Sequence, residues 1–123
     1  MDTSNSLTGT DANGNGVRDD LDAYIAGLKD SPVQQKALTQ LAQAIQATLS
    51  VDLTKSTALA AASLNINRGV TCVWQTYTAD QHAKVQLVQE LSINTLTRLN
   101  AYEKYNAARN GAVIPSLSGS TCN

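Results

Sequence analysis

Chemistry is offered most plainly by the stretch Asp11-Ala12-Asn13-Gly14-Asn15-Gly16-Val17-Arg18-Asp19-Asp20-Leu21-Asp22. Oxygen-bearing side chains recur at its positions 1, 3, 5, 9 and 12, and position 6 is glycine. Alternate residues of a tight turn can point toward one centre, and a hard cation such as calcium takes about six to eight oxygen ligands. Gly16 permits the sharp turn after Asn15. The spacing nominates the side chains of Asp11, Asn13, Asn15 and Asp22, the backbone carbonyl of Val17, and Asp19 directly or through water. Asp20, at position 10, is expected to point away from the ion. Three carboxylates held this close repel one another, so bound calcium is expected to be structural and to order the helix that follows. The competing reading is an Asn/Asp/Gly turn that caps a helix, since such turns use the same residue types.

This loop resembles the EF-hand pattern, and still more the calcium loops of dockerins and thrombospondin type 3 repeats, which also end in Asp. The resemblance covers residues 11–22 alone and implies calcium as the bound ion. Three departures matter. Asp22 is one methylene shorter than the usual Glu, which implies either one-oxygen ligation or a tighter loop. Arg18 occupies position 8, where dockerins carry an apolar residue, and the apolar Val17 comes one position earlier. An EF-hand also has an entering helix, whereas Met1 to Thr10 is rich in Ser, Thr, Asn and Gly and reads as a flexible N-terminus.

Positioning such a loop requires a scaffold, and the composition indicates a helical one. With 123 residues, 42% of them hydrophobic and none Phe, the chain suits one all-α domain built from amphipathic helices. A net charge of −1 gives no basic surface for nucleic acid. No apolar run approaches the roughly 18 residues of a membrane span. The expected architecture is a small bundle over residues 23–111, with one short helix and three longer ones. The calcium loop precedes it and an extended tail, 112–123, follows.

Helical periodicity places the elements. The first helix runs from about Asp19 through Leu28, with Leu21, Tyr24, Ile25 and Leu28 on one face. Ser31, Pro32 and Gln34 make a capping box that starts a second helix toward Leu49. Its Gln35, Lys36, Gln40, Gln43 and Gln46 read as a solvated face, which makes it a surface helix. A break with a new cap at Ser50–Asp52 leads to a third helix reaching about Tyr77. Gly69 lies inside that pattern, and Ala58 to Ala62 would allow close helix approach. Thr78 and Gln81 repeat the capping logic for a fourth and longest helix, ending near Arg109 with Asn110-Gly111 as its cap.

Cys72 and Cys122 are the two cysteines, and with a single histidine they do not form a zinc site. They are read as a disulfide, worth about 4 kcal/mol on the loop-entropy estimate. An antiparallel hairpin of the last two helices would put Cys72 level with about residue 84, about 39 Å from the cap at Asn110. The extended tail spans about 40–43 Å. A bond within the chain therefore needs a tail that runs straight back, with Val113, Ile114 and Leu117 in a groove and Pro115 favouring extension. The alternatives are an early end to the last helix, a bend at Gly69, or pairing between chains.

A disulfide together with a single calcium loop points to a secreted or periplasmic location. The opening Met1-Asp-Thr-Ser-Asn-Ser lacks the basic and apolar stretches of a secretory signal, so the signal is expected to have been removed. Catalysis is not expected. His82 reads as a solvated histidine, no nucleophile or phosphate-loop motif is present, and Glu90 and Glu103 would stand about 20 Å apart on one helix. The sequence favours a secreted interaction or structural module whose partner is another protein. A periplasmic immunity-type inhibitor of a toxin or hydrolase is the alternative. Trp74, Tyr77, Tyr102 and Tyr105 are candidate partner anchors, though their helical spacing reads more readily as core or core edge.

Overall fold

A computed structural model of the chain describes residues 1–109 and 117–123. It is all-α among the described residues: α1 (Asp19–Ala26), α2 (Pro32–Thr48), α3 (Ser56–Thr76), α4 (Gln81–Ser92) and α5 (Leu96–Ala108). The capping box of α2 forms as expected, with Ser31 Oγ accepting from Gln34 N and Gln34 Oε1 accepting from Ser31 N. Pro32 fills the first helical position, where its missing N–H costs nothing.

Two starts differ from expectation. Asp52 accepts the N–H and the hydroxyl of Thr54, which closes a turn there, and α3 begins only at Ser56. Asp80, in the left-handed region with φ 61°, precedes α4, while Gln81 donates to the Tyr77 carbonyl, so the Thr78 cap is not used.

The larger correction is that the expected fourth helix is two. α4 stops at Ser92, and α5 starts afresh with Thr95 Oγ1 accepting from Arg98 N. Ser92-Ile93-Asn94-Thr95 contains only weak helix formers, three of which can bond the backbone with their own side chains. The side chain of Asn94 is drawn instead into tertiary hydrogen bonds. Glu90 and Glu103 consequently lie on different helices, and both are exposed.

α2 is the central helix, packed against the other four. Its Leu38, Leu41 and Ile45 meet Leu21 and Ile25 of α1, Val73 of α3 and Val88 of α4 in one core, into which Val17 also inserts. Tyr24, placed by periodicity on the buried face of α1, is partly exposed. Gln40 and Gln46 of the supposed solvated face are buried. The uncharged amide stripe was the available signal, because a solvated helical face ordinarily carries more Lys and Glu.

Gly69 continues α3, and its closeness to α2 explains the missing side chain: an added Cβ would stand 3.1 Å from Leu41 Cα. Close approach of α3 to α2 thus occurs at Gly69. At the opposite end, Asp30 in the α1–α2 turn accepts from Tyr77 Oη and pairs with Lys84 Nζ at 2.9 Å. These contacts, Tyr77 first, lower the Asp30 pKa, while burial and Asp30 raise that of Tyr77.

Cys72 and Cys122 are bonded within the chain, with Cα atoms 4.9 Å apart. Thr121 is buried beside them. Its hydroxyl donates to the Arg68 carbonyl at 2.9 Å, its N–H to Gln75 Oε1, and its carbonyl accepts from Gln40 Nε2. The end of the tail is therefore seated between α2 and α3. The expected cap at Asn110-Gly111, and the groove contacts of Val113, Ile114 and Pro115, lie outside the described residues. Leu117 is half-buried.

Replacing Gly69 by Val should destabilise the protein by about 1–3 kcal/mol, since the branched carbons would press on the α2 backbone. Urea denaturation of the oxidised protein checks this. A variant as stable as the parent would mean that the α2–α3 contact yields freely.

Candidate metal centre

The loop is built from successive side-chain-to-backbone hydrogen bonds. Asp11 Oδ1 accepts from Asn15 N at 3.3 Å and Oδ2 from Gly16 N at 3.0 Å. Asn13 Oδ1 accepts from Asn15 N at 3.2 Å, and Asn15 Oδ1 from Val17 N at 3.0 Å. Each oxygen is thereby fixed in direction and keeps a further lone pair. Gly14 and Gly16 take φ of 68° and 84°, values that a side chain would strain.

Asp22, in the first turn of α1, folds back over these residues. Its two oxygens accept from Asn15 Nδ2 at 3.0 and 2.9 Å, and Asn13 Nδ2 stands 3.5 Å away. Asn15 is thus the hub that brings Asp11, Asn13 and Asp22 together. Asp19 is set apart: both its oxygens accept from Ala12 N at 3.1 Å. Among the described residues no three His, Cys, Asp or Glu side chains gather as a metal-holding group. The convergence is one of two carboxylates and two amides, an oxygen-rich donor set that fits a hard cation and does not suit zinc.

The loop is moored to the bundle by contacts that spacing did not nominate. The Val17 side chain is fully buried, Gln43 Nε2 donates to the Asn15 carbonyl at 2.8 Å, and Gln46 Oε1 accepts from Arg18 N at 3.0 Å. Arg18 is the main anchor. Only 1% exposed, it donates Nε and Nη2 to the two oxygens of Asp20 at 2.9 and 2.8 Å. It also reaches Asn94 Oδ1 at 3.0 Å and the Leu91 carbonyl at 3.1 Å. The Asp20 carboxylate makes no bond to the candidate ligands; it serves this ion pair and accepts from the Asp2 N–H.

Arg98 of α5, with no exposure at all, shares Asn94 Oδ1 at 2.8 Å. It holds the N-terminal residues through the carbonyls of Asp2 at 2.6 Å and Leu7 at 3.2 Å. Met1 to Thr10 is irregular, as expected, but Asp2 and Leu7 pin it to α5. The one sequence hint of this anchorage was Arg18 itself, a charge at a position where related loops carry an apolar residue.

His82 is exposed on α4 and lines a shallow surface groove with Gln86 and Glu90. Of the four aromatic candidates, Tyr105 and Tyr77 are buried and Tyr102 is partly so, while Trp74 is 51% exposed. No helix is long and apolar enough to cross a membrane among the described residues. Compared with protein-family models, curated proteins and solved structures, the chain finds no match.

The hydrogen bonds from Arg18, with a smaller contribution from the Asp2 N–H, lower the Asp20 pKa to about 2. A depressed carboxylate pKa stabilises the fold above the unfolded value of about 4, and that contribution is lost as pH falls through the folded value. Asp20→Asn should therefore cost about 1–2 kcal/mol at pH 7, discounted for its partial exposure. The gap from wild type should narrow between pH 4 and pH 2. Urea denaturation of both proteins across that range tests it; a gap independent of pH would contradict the ion-pair account.

Proposed function

We propose that this is a non-catalytic calcium-binding module in which the ion stiffens the junction between the N-terminal segment and the helical bundle. The observation that supports this reading is the grouping of Asp11, Asn13 and Asp22 around Asn15, with the oxygens of residues 11, 13 and 15 each aimed by a loop N–H. Calcium would be held by those side chains and the Val17 carbonyl. Asp19 would join directly or through water on releasing Ala12. The ion would supply Asp22 with the positive partner that the amide N–H groups of Asn15 now provide. Such a site organises backbone and does not activate a nucleophile.

The Cys72–Cys122 bond favours an oxidising compartment, and one calcium loop suits surroundings where the ion stands at about 0.1–1 mM. Both fit a secreted or periplasmic protein. The partner is proposed to be another protein. Exposed apolar side chains such as Trp74 and Leu96 are available for contact, Leu96 being 72% exposed.

Titration calorimetry should detect calcium binding at or below millimolar concentration, and Asp11→Ala should abolish it. Wild-type protein that takes up no calcium at that concentration would end the proposal. Saturation at about 100 times Kd should raise stability by about 2.7 kcal/mol. Removing the ion with a chelator should accordingly lower Tm while leaving the long helices formed, as read by circular dichroism. A Tm indifferent to chelator would separate the ion from the fold.

A further inference from the structure

We propose that residues Asp2–Thr10, held down by Arg98, do the work of an entering helix for the calcium loop, so that Asp2, Gly9 and Arg98 are positioning residues that set its affinity. This rests on the calcium reading above. A loop of this kind has two arms, and binding is strongest when both arrive already fixed. The exiting arm is α1. The entering arm has no helix, yet Asp11 must be presented against Asn15 and Asp22.

The structure provides another support. Asp2 folds back onto Thr10 and the start of α1. Its N–H donates to Asp20 Oδ2 at 2.9 Å, and its own Oδ2 accepts from Thr10 N at 3.4 Å. Thr10, immediately before the first candidate ligand, accepts from Asp19 N through its carbonyl at 2.8 Å. The residue before the loop and the first two residues of α1 are therefore cross-tied, and Asp2 is the tie. Arg98 fixes that tie from outside through the Asp2 and Leu7 carbonyls, with Asn94 Nδ2 adding a bond to Asp2 O at 3.1 Å. The Arg98 Nη2, fully buried, makes no hydrogen bond among the described residues and faces the Asp2 carboxylate at 3.4 Å.

Gly9 shows how closely the strap is seated. It has φ +59°, and an added Cβ would fall 2.5 Å from Asp2 Oδ2 and 2.8 Å from Arg18 Cδ. The carboxylate and the arginine stem occupy that space, so a side chain at position 9 must shift one or both of them, and the positive φ adds backbone strain. Asp11, two residues on, would lose its fixed approach. By linkage, a strap that favours the ion-ready loop is itself favoured by the ion.

The test uses the full-length, disulfide-bonded protein with calcium chloride as the probe. Gly9→Ala and Asp2→Ala should each weaken calcium binding by about 5- to 20-fold, a typical coupling, without changing the helical circular dichroism. Lys36→Ala, at an exposed position of α2 outside the strap and the loop, should bind as wild type. In wild-type protein, calcium should slow amide hydrogen exchange at Gly9 and Thr10 several-fold, a readout that needs no variant and that a merely structural strap would not show. Wild-type affinity in both Asp2→Ala and Gly9→Ala, or exchange at Gly9 and Thr10 indifferent to calcium, would overturn the proposal while leaving the calcium site standing. Absence of calcium binding in wild type would remove the site and the coupling together.

Discussion

Two guanidinium groups buried side by side make the demand to which much of the tertiary structure answers. Arg18 and Arg98 are almost wholly removed from water and share one acceptor, Asn94 Oδ1. Burying a charge costs several kcal/mol unless partners replace its hydration. The replacements come from three separate parts of the chain: Asp2 and Leu7 in the N-terminal segment, Asp20 at the start of α1, and Leu91 and Asn94 at the α4–α5 junction. Each donor bond fixes a segment that has little apolar surface of its own. The helix break between α4 and α5 supplies free carbonyls and turns Asn94 inward. The irregular N-terminal residues are held through their backbone by Arg98, Asn94 and Asp20.

The same network explains an odd economy in the loop. Val17 and Arg18 are adjacent and both buried, one in the apolar core and one in the polar cluster. Extended backbone at Arg18, with ψ 144°, sends the two side chains different ways just before α1 begins. The loop thus has an apolar mooring on α2 and a charged mooring on the α4–α5 junction. In the proposed reading, an ion bound between Asp11 and Asp22 would join a segment anchored by Arg98 to a helix anchored by Val17 and Leu21.

At the other end of the molecule, Gln40 and Gln75 grip the segment around Thr121, and the disulfide closes it onto α3. The stretch read as one long helix is divided at Ile93–Thr95, so the length comparison for a single straight helix does not apply. Glutamines on α2 serve both ends: Gln43 and Gln46 hold the loop while Gln40 holds the tail. A stripe of amides spaced by three residues is therefore a binding edge for irregular backbone, whose N–H and C=O groups must be satisfied once buried.

The sequence by itself determined the all-α class, the bounds of α1 to within two residues, the Ser31–Gln34 capping box, the continuation of α3 through Gly69 and the spacing of the candidate loop. These are local matters, set by period, capping chemistry and turn propensity within a few residues. Only the tertiary structure decided that α2 is central, that the last helical stretch breaks, and that Asp2 and Leu7 lie against Arg98. Asn94 illustrates the reason. In its own helical window it is merely a weak helix former, and its preference is settled by two arginines whose positions depend on the whole fold. Polar groups carry no periodic signature when their partners are dozens of residues away, so a buried Gln46 and a solvated Gln look alike until the backbone they bond is in place.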